Sequence, residues 1–173
     1  AKAGNKAEMI IKSNSLSDRE LITKLYEAAT AGVTIKLIVR GIYCAVNQKS
    51  FKKKLQAISI VDEYLEHARV MYFYNKGAED IYISSADWMT RNLDYRIEAA
   101  VKITQKNLKK EIKDILDIQL RDNVKARILD KKLSNEYVKT GDQPIRSQVE
   151  TYHYMKKISY NTYKQRFGGW TNA

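Results

Sequence analysis

The chain reads as an α/β domain, a sheet flanked by helices, with a C-terminal helical extension. Three observations point there: a strand–helix–strand unit in the first forty residues, further strand-like segments before residue 104, and a change to helical periodicity at Gln105. Residues 1–104 are accordingly assigned to the α/β core. Residues 105–173 are assigned to a helical extension packing on the same domain.

Residues 8–12 form a short apolar strand around Met9, Ile10 and Ile11. Ser17-Asp18-Arg19-Glu20 has the form of a capping box, with Ser17 as the cap and Glu20 three residues on. Leu21, Leu25 and Ala28 then keep helical spacing, and Gly32 is the expected C-cap. Residues 33–39 are apolar and β-branched along nearly their whole length, as in a strand covered on both faces. A strand, a helix and a second strand in this order imply a parallel pair with a right-handed crossover. Residues 40–56 read as a basic loop, with Lys49 and Lys52 to Lys54. Residues 58–65 are apolar and lead to His67. Residues 69–74, 80–84 and 95–103 are strand candidates, and Asn75-Lys76-Gly77 supplies a turn between the first two. Leu108, Ile112, Ile115, Leu116 and Leu120 mark a helix of about four turns. From Asn123 the chain is polar, tyrosine-rich and helical in part.

Composition removes several classes of function. The balance of 44% hydrophobic and 29% charged residues is that of a globular protein. No apolar run approaches the roughly 18 residues of a bilayer span, and the polar residues 1–7 do not resemble a secretory leader. The first residue is Ala, and a strand follows almost at once, so the chain is expected to be a piece of a longer protein. Cys44 is the only cysteine, and His67 and His153 are the only histidines. Cysteine–zinc and multi-histidine metal centres are therefore not expected, and a reducing compartment fits. The seven glycines form neither GxxxxGK[ST] nor GxGxxG, and there is no nucleophile elbow or HExxH. Any phosphate must then be held by cationic side chains. The net charge of +11 is uneven: residues 1–100 carry 15 Lys/Arg against 12 Asp/Glu, and residues 101–173 carry 16 against 8. The basic C-terminal part suits an anionic partner such as nucleic acid, an acidic membrane surface or a phosphate polymer.

Three clusters could carry chemistry. Arg40-Gly41 ends the second parallel strand, where ligands of open α/β sheets gather, and Arg40 could fork onto phosphate oxygens. The alternative is a surface Arg before a turn. His67-Ala68-Arg69 opens a strand, so the imidazole and guanidinium share a face and could flank one phosphate; the alternative is a structural His. Ser84-Ser85-Ala86-Asp87, followed by Arg91-Asn92 and Glu98, offers hydroxyls, carboxylates and a cation near another strand end. Asp87 and Glu98 could instead be caps or partners of Arg91 and Arg96.

The order H-x-R, then S-S-A-D, then R-N and E resembles half of a phospholipase D-like site, in which H-x-K-x4-D is followed by G-S-x-N. A fuller likeness extends over about residues 4–150. Lys12-Ser13-Asn14-Ser15-Leu16-Ser17-Asp18, Leu37-Ile38-Val39-Arg40-Gly41, Tyr64-Leu65-Glu66-His67 and Tyr82-Ile83-Ser84-Ser85-Ala86-Asp87-Trp88-Met89-Thr90-Arg91-Asn92 resemble the bacterial polyphosphate kinase family, specifically its C-terminal catalytic domain.

That resemblance implies a phospholipase D-like mixed sheet and a reversible transfer of the terminal phosphate of ATP to inorganic polyphosphate, through a phosphohistidine and with Mg2+. The nucleophilic histidine and the Mg2+ ligands are expected in a preceding domain, so this piece alone is expected to be inactive and to hold no metal. Arg40 and His67 are the implied ATP-binding positions, with His67 donating a hydrogen bond or proton to the leaving phosphate. Arg69, Arg91, Lys12, Asn14, Ser84 and Ser85 are further candidate phosphate contacts. Implied partners are polyphosphate, ATP/ADP, the preceding domains and further copies in a homo-oligomer, with no nucleic acid. The implied location is cytoplasmic, at most peripheral to the inner membrane.

Some residues depart from these patterns. Tyr74 occupies the place of the phospholipase Asp, and Asp87 the place of its Asn, which favours the kinase over a phosphodiesterase or nuclease half-site. The loop after Arg40 lacks the proline and glycine of the family, and Glu63 stands where Arg is expected. The alternative functions are such a phosphodiesterase, or a non-catalytic nucleic-acid module whose tyrosines would lie exposed for stacking.

Overall fold

Strand alternation builds two cores from one sheet. In β1 (Glu8–Ser13) Ile11 points to one face while Ile10 and Lys12 point to the other. Beside it, β2 (Thr34–Val39) sends Ile35, Leu37 and Val39 to the first face and Ile38 to the second. Between them, α1 (Arg19–Ala31) packs Leu25 and Ala29 onto the first face. The β1–β2 pair is parallel, with Glu8 opposite Thr34 and Ser13 opposite Val39.

The computed structural model describes residues 1–132, 134–141 and 143–167, with side chains to residue 160. The remaining elements are β3 (Gln56–Ile60), β4 (Arg69–Phe73), β5 (Asp80–Ser84), α2 (Thr90–Tyr95), β6 (Ala100–Ile103), α3 (Lys106–Leu120), β7 (Ala126–Ile128) and α4 (Ser147–Phe167). Seven strands form one mixed sheet in the order β6-β5-β4-β1-β2-β3-β7. The strands β1, β2 and β3 are parallel, and β4, β5, β6 and β7 join antiparallel. On the second face Ile10, Ile38, Ile60, Val70, Tyr72 and Ile81 meet Leu116 of α3. Each such buried aliphatic contributes about 1.5–3 kcal/mol. Among the described residues no helix is long and apolar enough to cross a membrane.

Several local expectations shift. The cap of α1 is Asp18 rather than Ser17: its Oδ1 accepts from Leu21 N at 2.9 Å and its Oδ2 accepts from Thr90 Oγ1 at 3.1 Å. Ser17 N and Asp18 N both donate to Trp88 O instead, each at 2.8 Å. Gly32 does close α1, with φ 96°, the left-handed region that glycine enters without penalty. The strand expected over residues 95–103 is only Ala100–Ile103, because residues 90–95 turn helically on Met89 O. The apolar run 58–65 is split: Gln56–Ile60 pairs in the sheet, while Val61, Tyr64 and Leu65 are exposed. Residues 105–167 contribute an edge strand as well as helices, since β7 pairs with β3; residues 168–173 of the expected extension lie outside the described residues. Tyr64, Tyr95, Tyr137, Tyr152 and Tyr160 are exposed.

Candidate functional site

Sheet register gathers the candidate residues at one edge. The carboxyl end of β1 lies beside that of β2, with Ser13 opposite Val39. The start of β4 meets the same end, with Lys12 opposite Val70, and Arg69 pairs with Ser84 at the end of β5. Asn14, Arg40, His67, Arg69 and residues 84–87 therefore emerge together.

Asp87 organises this edge. Its side chain is only 4% exposed. Its Oδ1 accepts from Ser13 Oγ at 2.9 Å, Asn14 N at 2.8 Å and Ser15 N at 3.2 Å. Its Oδ2 accepts from Arg69 Nη2 at 3.0 Å. Burial alone would raise its pKa, but the hydrogen bonds from Arg69, Ser13 and the backbone of Asn14 and Ser15 outweigh it and lower the value to about 2. The carboxylate stays ionised and fixes the guanidinium of Arg69.

Arg69 in turn reaches His67, with Nη2 2.9 Å from Nε2. A guanidinium can only donate, so Nε2 accepts here and the ring proton sits on Nδ1. His67 is exposed, and the buried Nε of Arg69 has no hydrogen-bond partner among the described residues. Arg40 Nε donates to Asn14 Oδ1 at 2.8 Å. Gly41 N donates to Asn14 O at 2.8 Å, and a Cβ at Gly41 would stand 3.1 Å from that oxygen. The close approach expected of this glycine is thus to the backbone of Asn14. A continuous path of hydrogen bonds runs Arg40–Asn14–Asp87–Arg69–His67.

Other candidates sit differently. Lys12 points to the opposite sheet face, where its buried ammonium meets Glu66 Oε2 at 2.7 Å and Gln119 Oε1 at 2.9 Å. Ser84 Oγ accepts from Ala86 N at 3.0 Å. Ser85 Oγ donates to Glu98 and accepts from Ala99 N, so both hydroxyls shape the turn. Hydrogen bonds from Ser85 and Asn92 hold Glu98 below the usual carboxylate range. Arg91 is exposed on α2, with no hydrogen bond or ion pair among the described residues. Sequence reasoning named Asp87 but not its role as the hub, and it missed Ser13, Glu66 and Gln119. The S-S-A-D motif signalled Asp87, and Ser13 and Glu66 lie within the strings 12–18 and 64–67 without being singled out.

Mg2+, implied by the resemblance, finds no cradle here. Among the described residues no three His, Cys, Asp or Glu side chains converge, and Asp87, Glu66 and Glu98 are each committed to protein donors. The cations of the edge instead suit an anion.

Comparison with known proteins gives the family and the fold. The family profile described as polyphosphate kinase C-terminal domain 2 matches residues 1–148. The polyphosphate kinase of Vibrio parahaemolyticus is 47% identical over 168 residues, 96% of this chain and 24% of that protein. The crystal structure of polyphosphate kinase from Porphyromonas gingivalis superposes with a TM-score of 0.89 at 45% identity, covering 92% of this chain and 25% of the other. Nuc from Salmonella typhimurium, a phospholipase D family member, shares the fold with a TM-score of 0.53 at 11% identity, over 76% of this chain and 87% of its own. The chain spans about a quarter of the length of the polyphosphate kinases it matches. It belongs to the polyphosphate kinase family, of which it is the C-terminal domain 2.

Proposed function

We propose that this chain forms the nucleotide-phosphate-binding wall of an ATP–polyphosphate phosphotransferase. Arg40 and His67 contact the terminal phosphates of ATP, while Arg69 and the exposed Arg91 are secondary contacts. The phosphohistidine and the Mg2+ ligands belong to the preceding part of the enzyme. In the forward direction the bond from the bridging oxygen to the terminal phosphorus breaks as the histidine nucleophile bonds to that phosphorus. ADP leaves with the electron pair, and His67 donates a hydrogen bond or proton to the leaving phosphate. The phosphoryl group then passes to the end of the polyphosphate chain. The basic C-terminal part adds a field that draws in this polyanion.

The observation that carries this reading is the hydrogen-bond path joining Arg40 to His67 at one edge of the sheet, where the carboxylate of Asp87 is engaged by Arg69. A charge-assisted hydrogen bond contributes about 1.5–3 kcal/mol. Arg40→Ala in the whole enzyme is therefore expected to raise the KM for ATP about 10- to 100-fold. Steady-state kinetics of polyphosphate synthesis measure this; an unchanged KM and kcat would remove Arg40 from the site.

A further inference from the structure

Residues 61–68 connect the end of β3 to the start of β4 and carry His67. Apolar packing does not hold them, since Val61, Tyr64 and Leu65 are 64, 67 and 69% exposed. Polar anchors do, and they come from the far end of the sequence. The carboxylate of Asp62, 1% exposed, takes a two-pronged bond from Arg146, with Nε and Nη2 each at 2.8 Å. Tyr64 N donates to Gln148 Oε1 at 3.0 Å, and Gln148 Nε2 donates back to Tyr64 O at 2.7 Å. Glu66 Oε2 accepts from Gln119 Nε2 at 2.6 Å and from Lys12 Nζ at 2.7 Å. Successive even positions are thus fastened to α3 and the start of α4. His67 faces the other way, beside Arg69.

The anchoring platform is itself rigid. Asp122, fully buried, accepts from Ser147 N at 2.7 Å through Oδ2 and from Val124, Lys125 and Ala126 N through Oδ1. Asn123 Oδ1 accepts from Ile145 N at 2.7 Å. The end of α3 therefore fixes residues 145–147, and these fix the segment that bears His67.

We infer that Gln148 and Arg146 are positioning residues for His67: they touch no phosphate but set where the imidazole stands. The amide of Gln148 grips both backbone groups of Tyr64, three residues before His67, as a neighbouring strand would. The fork of Arg146 holds the position two residues earlier still. The inference rests on the reading of His67 given above, and it assigns the C-terminal part a role in the reaction beyond its charge.

The test is a double-mutant cycle in the whole enzyme, with Gln148→Ala made alone and together with His67→Ala. Displacement of a reacting group by about 1 Å can cost 10²-fold. Gln148→Ala is therefore expected to lower kcat by about 10- to 100-fold, with a smaller effect on the KM for ATP. In the His67→Ala background it is expected to change kcat by less than about twofold, because the group it positions is gone. Arg146→Lys, which keeps a cation against Asp62 but loses the fork, is expected to follow the same pattern. Hydrogen exchange of residues 65–68 is expected to quicken in both variants. Equal losses of kcat in the two backgrounds, or no loss in either, would overturn the assignment. If His67→Ala itself leaves synthesis intact, the reading of His67 fails; unchanged exchange at residues 65–68 in Gln148→Ala then overturns the positioning independently.

Discussion

His67→Ala in the whole enzyme is expected to lower ATP-dependent polyphosphate synthesis by about 10²–10⁴-fold, the contribution of a positioned proton donor. The imidazole is exposed and packs against nothing in either core, so thermal stability should hardly move. Its position is fixed from two sides: Arg69 Nη2 lies 2.9 Å from Nε2, and residues 62–66 are fastened to α3 and α4. In this arrangement Nδ1–H is the free donor. His67→Gln separates the two roles, because an amide donates a hydrogen bond but transfers no proton. Recovery with Gln would identify hydrogen bonding as the contribution, and continued loss would identify proton transfer. Near-normal synthesis by His67→Ala would exclude both.

The second large effect is at Asp87. Removing one partner of a buried ion pair costs about 3–5 kcal/mol, a large share of the roughly 5–15 kcal/mol that stabilises a domain. Asp87→Ala strands the guanidinium of Arg69 and leaves two backbone donors, Asn14 N and Ser15 N, without their acceptor, while Ser13 Oγ keeps Ser15 O at 2.9 Å. Urea unfolding is expected to show the loss, together with collapse of activity. Asp87→Asn is milder in stability: its carbonyl oxygen can still accept from Ser13, Asn14 and Ser15, but its amide faces Arg69 Nη2, donor against donor. A folded protein with impaired synthesis is the expected result, and normal synthesis by Asp87→Asn would show that Arg69 needs no tether. The pH dependence follows in sign. The carboxyl of Asp87 is lowered to about 2 in the folded protein, below an unfolded value near 3.9. Its contribution is therefore full above about pH 4 and is lost as pH falls toward 2. Asp87→Asn should flatten that part of the stability profile.

Periodicity and turn chemistry made much of the fold legible. The apolar runs of β1 and β2, the Gly32 cap and the spacing of α3 are local signals, and each lies where the sequence indicates. Three-residue β7 carries too short a pattern to read, and its place in the sheet depends on β3 about seventy residues earlier. At Ser17-Asp18 two adjacent caps compete, and the choice falls to Asp18 because Thr90, far along the chain, engages its second oxygen. The same limit governs the site. Arg40, His67 and Arg69 can be singled out as candidates by position and motif. Lys12 looks like a free cation until Glu66 and Gln119 are seen beside it, 54 and 107 positions away. The pair Asp62–Arg146 spans 84 positions and follows no spacing rule.

The most direct measurement is a crystal structure of the whole enzyme with a non-hydrolysable ATP analogue. The expected result places oxygens of the terminal phosphates within hydrogen-bonding reach, about 2.7–3.2 Å, of both the Arg40 guanidinium and the His67 ring. Phosphates seated away from either group would contradict the account.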